Sequence, residues 1–118
     1  MDHGLIARDL KHIREAVAEI QEIDQVTLFG SRAKGTHYRG SDVDLSIRGR
    51  GITYDTILQL SRSLNEERPL PYYFDIVDYD SLEEDEPIRA HIDRVGIVLI
   101  DATSMPRETS RETSREIA

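Results

Sequence analysis

The segment from residue 30 to residue 44 constrains this chain more than any other part of its sequence. An apolar run, Val26 to Phe29, ends at Gly30-Ser31, and ten residues later an alternating segment begins with Asp42-Val43-Asp44. The apolar run predicts a strand that enters a tight turn at the glycine. The alternation from Asp42 to Arg48 predicts a second strand, with both acids on one face. The chain is therefore expected to place a turn next to paired carboxylates.

The remaining segments predict a single domain in which helices and strands alternate. Helices are predicted over Leu5 to Ile23, from about Tyr54 to Glu67 after a Thr53 cap, and from Pro87 to Gly96; further strands are predicted over Tyr72 to Val77 and Ile97 to Ile100. In the first helix the apolar stripe is Ile6, Leu10, Ile13, Val17 and Ile20. This order predicts an α/β (α+β) fold, one small sheet with helices packed on it. Periodicity leaves the strand order and direction open.

Length and composition limit the classes of protein to consider. The 118 residues suffice for one small domain, and 23 acids against 15 bases give a formal charge of −8, which argues against a free-standing nucleic-acid binder. The absence of cysteine excludes disulfides and thiolate metal sites. There is no apolar run of membrane-spanning length and no signal-peptide pattern at the N-terminus, so we expect a cytoplasmic protein without a membrane partner.

Asp42 and Asp44 are the first candidate metal ligands. Residues two apart on a strand point to the same side, roughly 6.5 to 7 Å apart. Two carboxylates held in this way repel each other unless a cation lies between them, and Mg²⁺ combines a few carboxylates with water and substrate phosphates. The alternative is a solvent-exposed polar strand face, and the pair alone does not decide between the two.

Gly30 and Ser31 are candidate phosphate contacts. Backbone N–H groups of a turn that follows a strand can bind an anion, and the Ser31 hydroxyl adds a donor. Arg32 and Lys34 could supply positive charge to a polyphosphate. The alternative is an ordinary strand-to-helix turn with solvated bases. The specific signal is the combination, a Gly-Ser turn followed at a fixed spacing by Asp-x-Asp.

Asp75 is the candidate third acid. It interrupts an apolar strand, and an unpaired carboxylate buried there is costly. If that strand lies beside the Asp42 to Arg48 strand, the three carboxylates converge in the arrangement used for two-metal in-line displacement at phosphorus. Asp78, which follows the strand, remains the second candidate for this role.

The four histidines show no paired metal-ligand spacing. His12 and His91 are interpreted as surface or boundary residues within helices, and His3 carries no signal. His37 lies in the loop between the turn and the acids, so a phosphate contact and a structural position both stay open for it.

Two segments, Leu28-Phe29-Gly30-Ser31-Arg32-Ala33-Lys34-Gly35 and Ser41-Asp42-Val43-Asp44-Leu45, resemble the minimal nucleotidyltransferase (MNT) family, the smallest branch of the DNA polymerase beta-like superfamily. The resemblance covers roughly residues 5 to 100. It implies a mixed sheet with flanking helices, the palm-like fold. It also implies metal ligation by Asp42, Asp44 and Asp75 and triphosphate contacts from Gly30 and Ser31, with one or two Mg²⁺ ions and ATP as the nucleotide donor.

The family resemblance also implies a partner. Many members are encoded beside a HEPN-domain ribonuclease toxin and act as its antitoxin, and some transfer AMP from ATP to a tyrosine of the toxin. The prediction is therefore a protein adenylyltransferase that forms a hetero-oligomer with a HEPN-type toxin and makes no direct nucleic-acid contact. Two alternatives are a non-catalytic antitoxin that neutralises by binding, and a nucleotidyltransferase that modifies a small molecule such as an antibiotic.

The predicted domain organisation is a nucleotidyltransferase domain over residues 1–101 and a polar C-terminal tail over residues 102–118. Arg-Glu-Thr-Ser occurs twice in the tail, beginning at Arg107 and at Arg111. One interpretation is a tail without fixed structure, and the other is a partner-docking arm. A palm of this size has little surface to hold an acceptor, so we expect a partner to complete the site.

Overall fold

Four strands form one mixed sheet in the computed structural model, which describes residues 3–102 of the chain. The strands are β1 (Ile23–Phe29), β2 (Val43–Gly49), β3 (Phe74–Asp78) and β4 (Ile97–Asp101), in the order β3-β2-β1-β4. β1 is antiparallel to both of its neighbours, whereas β2 and β3 are parallel. The predicted fold class is confirmed, and the structure supplies the order and directions that periodicity left open.

Four helices connect or precede the strands: α1 (Ala7–Ala18), α2 (Gly30–Lys34), α3 (Tyr54–Arg62) and α4 (Pro87–Val95). α3 continues as a π-helical turn, Ser63–Glu67, and a short 3₁₀ turn, Tyr79–Ser81, follows β3. The predicted cap of α3 is present, since the Thr53 hydroxyl accepts the Thr56 N–H at 3.3 Å. Proline begins α4, where its missing N–H costs nothing.

One face of the sheet carries the main hydrophobic core. The core consists mainly of alternate strand residues and the inner sides of α1 and α3: Ile13, Ala16, Val17, Val26, Leu28, Val43, Leu45, Ile47, Leu60, Leu64 and Phe74. Strand alternation sends the intervening residues to the other face. The predicted assignment of Val43, Leu45 and Ile47 to one side of β2 is therefore confirmed, and all three are buried.

The helix predicted over Leu5 to Ile23 is shorter in the structure, ending at Ala18, and its predicted apolar stripe is wrong at both ends, since Ile20 lies beyond the helix. Ile6 lies before α1 and its side chain is 56% exposed, whereas Asp9 is fully buried on the inner side of the helix. The Asp9 carboxylate accepts hydrogen bonds from the Ile6 N–H and from the Tyr72 hydroxyl. Both hydrogen bonds reach Oδ2, whereas Oδ1 is buried without a hydrogen-bond partner, so the two donors satisfy only one of the two carboxylate oxygens.

The second face of the sheet is only partly covered. A smaller cluster of Phe29, Tyr79 and Ile92, with Val77, Leu82 and Ile88 packed against it, lies between the sheet and α4. The part of this face beyond the cluster carries polar side chains of β2 and β3.

Within residues 3–102, no helix is both long enough and apolar enough to cross a bilayer. The predicted tail lies outside the described residues, apart from Ala102.

Candidate active site

Three carboxylates meet on the face of the sheet opposite the main core. Asp44 and Asp75 are direct partners in the parallel pairing of β2 and β3. Paired residues on neighbouring strands lie about 4.8 Å apart and point to the same side. Asp42 lies two residues before Asp44, just outside β2, and is close enough for its charge to help raise the pKa of Asp44. The structure thus brings together the three acids that the sequence singled out.

Asp78, the second candidate for the third acid, lies elsewhere. Its partner in β2 is Ile47, a buried core residue, so its position in the register belongs to the opposite face of the sheet. The Asp78 carboxylate accepts the Asp80 N–H at 3.2 Å and so caps the 3₁₀ turn that follows β3. Burial raises the pKa of this carboxyl. Register therefore groups Asp75 with Asp42 and Asp44, and assigns Asp78 to a local turn.

Gly30 is packed directly against Asp44. It has a φ of +75°, which L side chains rarely adopt, and a Cβ atom there would overlap the Asp44 carboxylate. Phe29, the residue before it, is the partner of Asp44 in the pairing of β1 and β2. Glycine is therefore required twice at this position, for its conformation and for the space that the carboxylate occupies.

The electrostatics at Asp44 are unfavourable. Burial, followed by repulsion from Asp75 and Asp42, raises the pKa of the Asp44 carboxyl above its usual value of 3.8. Within residues 3–102 none of the three carboxylates has a hydrogen-bond or ion-pair partner. Carboxylates that repel each other and lack donors are groups that a bound cation would stabilise.

The donor set fits a hard cation such as Mg²⁺, which prefers oxygen ligands. As the side chains stand, no group of three His, Asp or Glu residues in the described part of the chain is close enough to hold a metal ion by itself. Mg²⁺ usually takes only one or two carboxylates and completes its shell with water and substrate phosphates. The chemistry of these acids therefore suits a metal that arrives with a nucleotide.

Gly30 begins the short helix α2, and Ser31 follows on its first turn, partly buried. The Ser31 carbonyl accepts the Thr36 N–H at 2.9 Å, which closes the turn after the helix. Lys34 is exposed at the last residue of α2. Ser31 thus lies next to the glycine that touches Asp44, while Lys34 is on the solvent side.

Arg32 occupies a different position from the one that a direct phosphate contact needs. Its side chain is only 2% exposed, and its guanidinium donates to the Ser41 carbonyl, through Nε and Nη2, and to the His3 carbonyl, through Nη1. It also lies over the Tyr72 ring, 4.6 Å from the centroid. The prediction treated this base as a solvated or phosphate-binding charge; α2 instead turns it into the protein interior.

His91 is a site residue that sequence reasoning missed. His91 is partly exposed, as its interpretation as a surface or boundary residue expected, but its Nε2 also accepts the Gly30 N–H at 3.1 Å and its ring packs edge-on against Phe29. The acceptor role requires the neutral tautomer with the proton on Nδ1. A signal was available: His91 completes the helical stripe of Ile88, Ile92 and Val95 on the inner side of α4.

Asn65 is a second residue that the sequence did not identify. It lies in the π-helical turn after α3, and its amide both accepts the Phe74 N–H at 2.7 Å and donates to the Phe74 carbonyl at 3.0 Å. The side chain therefore replaces a neighbouring strand at the start of β3, one residue before Asp75. No local pattern announces such a contact, because it joins segments through the tertiary fold.

The other histidines lie away from the acids. His37 packs against the N-terminal segment, where a Cβ on Gly4 would be 2.6 Å from its Nε2, and its Nδ1 is buried without a hydrogen-bond partner. His12 contacts Arg68 through Nδ1 at 3.1 Å, and the His3 Nδ1 accepts the Leu5 N–H. The structure thus favours the structural interpretation of His37.

Comparisons with known proteins agree with this geometry. The family model for polymerase beta nucleotidyltransferases matches residues 11–104. No curated protein matches the sequence significantly. Among solved structures, one similar chain belongs to a toxin–antitoxin crystallised with AMP-PNP; its TM-score is 0.67 at 22% identity, over 80% of this chain and 75% of that one.

Two further similar structures are mutants of the toxin–antitoxin MntA-HpeT. The first has a TM-score of 0.61 at 19% identity and covers 87% of this chain and 76% of its own. The second has the same TM-score of 0.61 at 22% identity and covers 81% and 72%. At these identities the likeness concerns the fold, whereas the family match spans most of the sequence. The chain therefore belongs to the polymerase beta nucleotidyltransferase family, as the resemblance to its minimal branch predicted.

Proposed function

We propose that this protein is a Mg²⁺-dependent nucleotidyltransferase that transfers AMP from ATP to a tyrosine hydroxyl of a HEPN-type toxin and thereby acts as the antitoxin. The observation that carries the proposal is the contact of the Gly30 turn with Asp44, beside Asp75. A turn that binds phosphate and an acid that binds metal must be neighbours if one metal–triphosphate complex is to touch both.

In this proposal Asp42 and Asp44 would hold Mg²⁺ together with the nucleotide phosphates, and Gly30 and Ser31 would contact the triphosphate. Bound Mg²⁺ would neutralise phosphate charge and favour displacement at phosphorus. Asp75 orients the acceptor hydroxyl and takes its proton as the oxygen bonds to the α-phosphorus. The bond from that phosphorus to the bridging oxygen breaks, and pyrophosphate leaves. Lys34, exposed at the end of α2, remains a candidate for attracting the polyphosphate.

A macromolecular acceptor is supported by the surface around the acids. Tyr38, in the loop before Asp42, is 82% exposed, and Tyr73, directly before β3, is 59% exposed. Exposed aromatic side chains are enriched where proteins bind one another. The similar solved structures are toxin–antitoxin assemblies, one of them with AMP-PNP. A cytoplasmic location is part of the same proposal.

The test is incubation of the full chain with the product of the neighbouring gene, MgCl₂ and ATP labelled at the α-phosphate. We expect label on the partner protein, lost in Asp42→Ala/Asp44→Ala, and partner ribonuclease activity that falls as label accumulates. Mass spectrometry identifies the modified residue and the number of nucleotides. An unlabelled partner, under conditions in which the wild-type chain binds ATP, would contradict the proposal.

A matched pair of variants tests the assignment of the third acid. Asp75→Asn and Asp78→Asn make the same change on one strand, but register assigns the two residues to opposite faces of the sheet. We expect transfer to be abolished by the first and largely retained by the second. The reverse result would reassign the proton acceptor to Asp78.

The second candidate function is neutralisation by binding alone, favoured by the exposed Tyr38 and Tyr73 beside the site. Here the double variant Asp42→Ala/Asp44→Ala would still suppress toxicity in cells to the full extent, while Tyr38→Ser/Tyr73→Ser would not. The two functions therefore predict opposite outcomes for the acid variant.

A further inference from the structure

Asp42 differs from the other two acids in how its backbone is held. Asp44 and Asp75 lie within β2 and β3, whose ladder pairs them directly. Asp42 lies before β2, which begins at Val43, and its side chain is exposed. Its position must therefore come from the residues that flank it.

Each flanking residue has a defined anchor. The Val43 N–H donates to the Tyr73 carbonyl at 2.9 Å, which ties the start of β2 to the segment before β3. On the other side, the Ser41 carbonyl accepts two hydrogen bonds from Arg32, from Nε at 3.2 Å and from Nη2 at 3.0 Å. The guanidinium is thus hydrogen-bonded to the peptide group that joins Ser41 to Asp42.

Ser41 connects Arg32 to the turn that precedes Asp42. Its N–H donates to the Tyr38 carbonyl at 3.0 Å, and its hydroxyl accepts the Tyr38 N–H at 2.8 Å. The turn is closed by both bonds, so Arg32 holds it at its end nearest to the acid. Without Arg32, the two hydrogen bonds between Ser41 and Tyr38 would close the turn but would not attach it to the rest of the protein.

Arg32 is in turn fixed by groups distant in sequence. Its Nη1 donates to the His3 carbonyl at 3.0 Å, and the Tyr72 ring lies under its guanidinium. The Tyr72 hydroxyl donates to the buried Asp9 of α1 at 2.8 Å. A planar guanidinium can serve a carbonyl through two donors while stacking on a ring, and an ammonium group cannot.

We propose that Arg32 is a positioning residue for Asp42. By binding the Ser41 carbonyl it fixes the backbone next to this acid, which lies outside the strand ladder. Tyr72 and Asp9 connect Arg32 to α1. The functional consequence rests on the proposed function, since it concerns the affinity for Mg²⁺–nucleotide. The positional consequence does not rest on it and can be measured without any ligand.

The first experiment measures amide hydrogen exchange in the full chain for wild type, Arg32→Lys and Arg68→Lys. Arg68 is the matched control because it is also largely buried, at 16% exposure of its side chain, but binds Glu15 and Glu19, on and just after α1. In Arg32→Lys we expect protection of the Ser41 and Val43 amides to fall by at least about tenfold relative to other β2 amides. In Arg68→Lys the protection of these two amides relative to other β2 amides should stay at its wild-type value. Equal behaviour of the two variants overturns the proposal.

The second experiment titrates MgCl₂ in the presence of saturating AMP-PNP and follows binding by calorimetry. We expect about 10- to 100-fold weaker Mg²⁺ binding in Arg32→Lys, the range typical of groups that orient metal ligands. Arg68→Lys should lower the melting temperature without changing this affinity. If wild type itself binds no Mg²⁺–AMP-PNP, the proposed function fails while the exchange result still decides the role of Arg32.

If Arg32→Lys does not fold, Tyr72→Leu replaces it. This variant removes the ring under the guanidinium and the bond to Asp9, but keeps both donors to Ser41. The Ser41 amide should then exchange faster by a smaller factor. An unchanged Ser41 amide in a folded Tyr72→Leu protein overturns the proposal.

Discussion

The two faces of the sheet use the same strands for opposite purposes. Leu45 is fully buried among residues of α1 and α3, while its neighbour Asp44 faces the other way, repelled by two more carboxylates. On the first face, apolar side chains find partners within the chain. On the second, the acids have no hydrogen-bond or ion-pair partner among residues 3–102. The difference indicates that the first face stabilises the fold, whereas the repulsion among the acids of the second face is not relieved by contacts within the described residues.

This division also bears on how Asp44 and Asp75 are held. The acids of β2 and β3 are held by ladders whose opposite sides are packed in the core, so their positions need no support from the second face. Because adjacent strand residues face opposite sides of the sheet, one face can be altered without the other. Substitutions at Asp44 and Leu45 therefore test the comparison most directly.

The largest effect is expected for Asp44→Asn. Under the proposed function, Asp44→Asn removes a metal ligand and several kcal/mol of transition-state stabilisation, so AMP transfer to the partner should fall at least about 10³-fold. The free energy of unfolding without divalent ions should not fall, because the substitution removes a partly buried, repelled carboxylate. Labelled-ATP assays and urea denaturation measure the two quantities. A loss of stability that matches the loss of activity would break the comparison.

Leu45→Ala should give the opposite pattern. Truncation of a fully buried leucine costs about 2–5 kcal/mol of unfolding free energy through lost burial and a residual cavity. The molecules that remain folded should retain transfer activity, since the side chain points away from the acids. Chemical denaturation, with activity normalised to the folded fraction, checks this. Inactivity of fully folded protein would show that the two faces are not separable.

Gly30→Ala should affect both properties by smaller amounts. A left-handed backbone costs an L residue about 1–2 kcal/mol, and the added Cβ would displace the Asp44 carboxylate. We expect lower stability together with weaker Mg²⁺–AMP-PNP binding, measured by denaturation and calorimetry. Gly51→Ala is the control for backbone strain alone, because Gly51 also has a positive φ but lies in the turn after β2, where an added Cβ would meet no atom within 4 Å. Identical binding in the two variants would contradict the proposed contact.

The smallest effect is a pH dependence of stability without divalent ions. The folded pKa of Asp44 is raised above 3.8, so the native state binds its proton more tightly than the unfolded state. The contribution of this carboxyl to stability is therefore unfavourable above the folded pKa and is relieved as the pH falls from there towards 3.8. When the free energy of unfolding is measured by urea denaturation at several pH values in this window, its dependence on pH should differ between wild type and Asp44→Asn. If the free energy of unfolding depends on pH in the same way in both proteins, Asp44 is not the source of the pH dependence.

Local chemistry made much of the fold predictable. Thr53 and Pro87 mark the starts of α3 and α4, and alternation from Asp42 to Arg48 identified β2 and both of its faces. Errors arose where a side chain's partner is distant in sequence. Asp9 and His91 both lie on the inner stripe of a helix, but a polar residue there is recognised only when its partner, Tyr72 or Gly30, is known.

By itself, the sequence determined the turn at Gly30, the closely spaced pair Asp42 and Asp44, and an isolated acid at Asp75, because these follow from residue order and backbone geometry within a few residues. The tertiary structure alone decided that β3 runs parallel to β2 with Asp75 beside Asp44, and that Arg32 turns inward to Ser41. Register and burial depend on packing between segments far apart in the chain. No local pattern encodes them, so the pairing of Asp44 with Asp75 and the inward position of Arg32 became visible only in the fold.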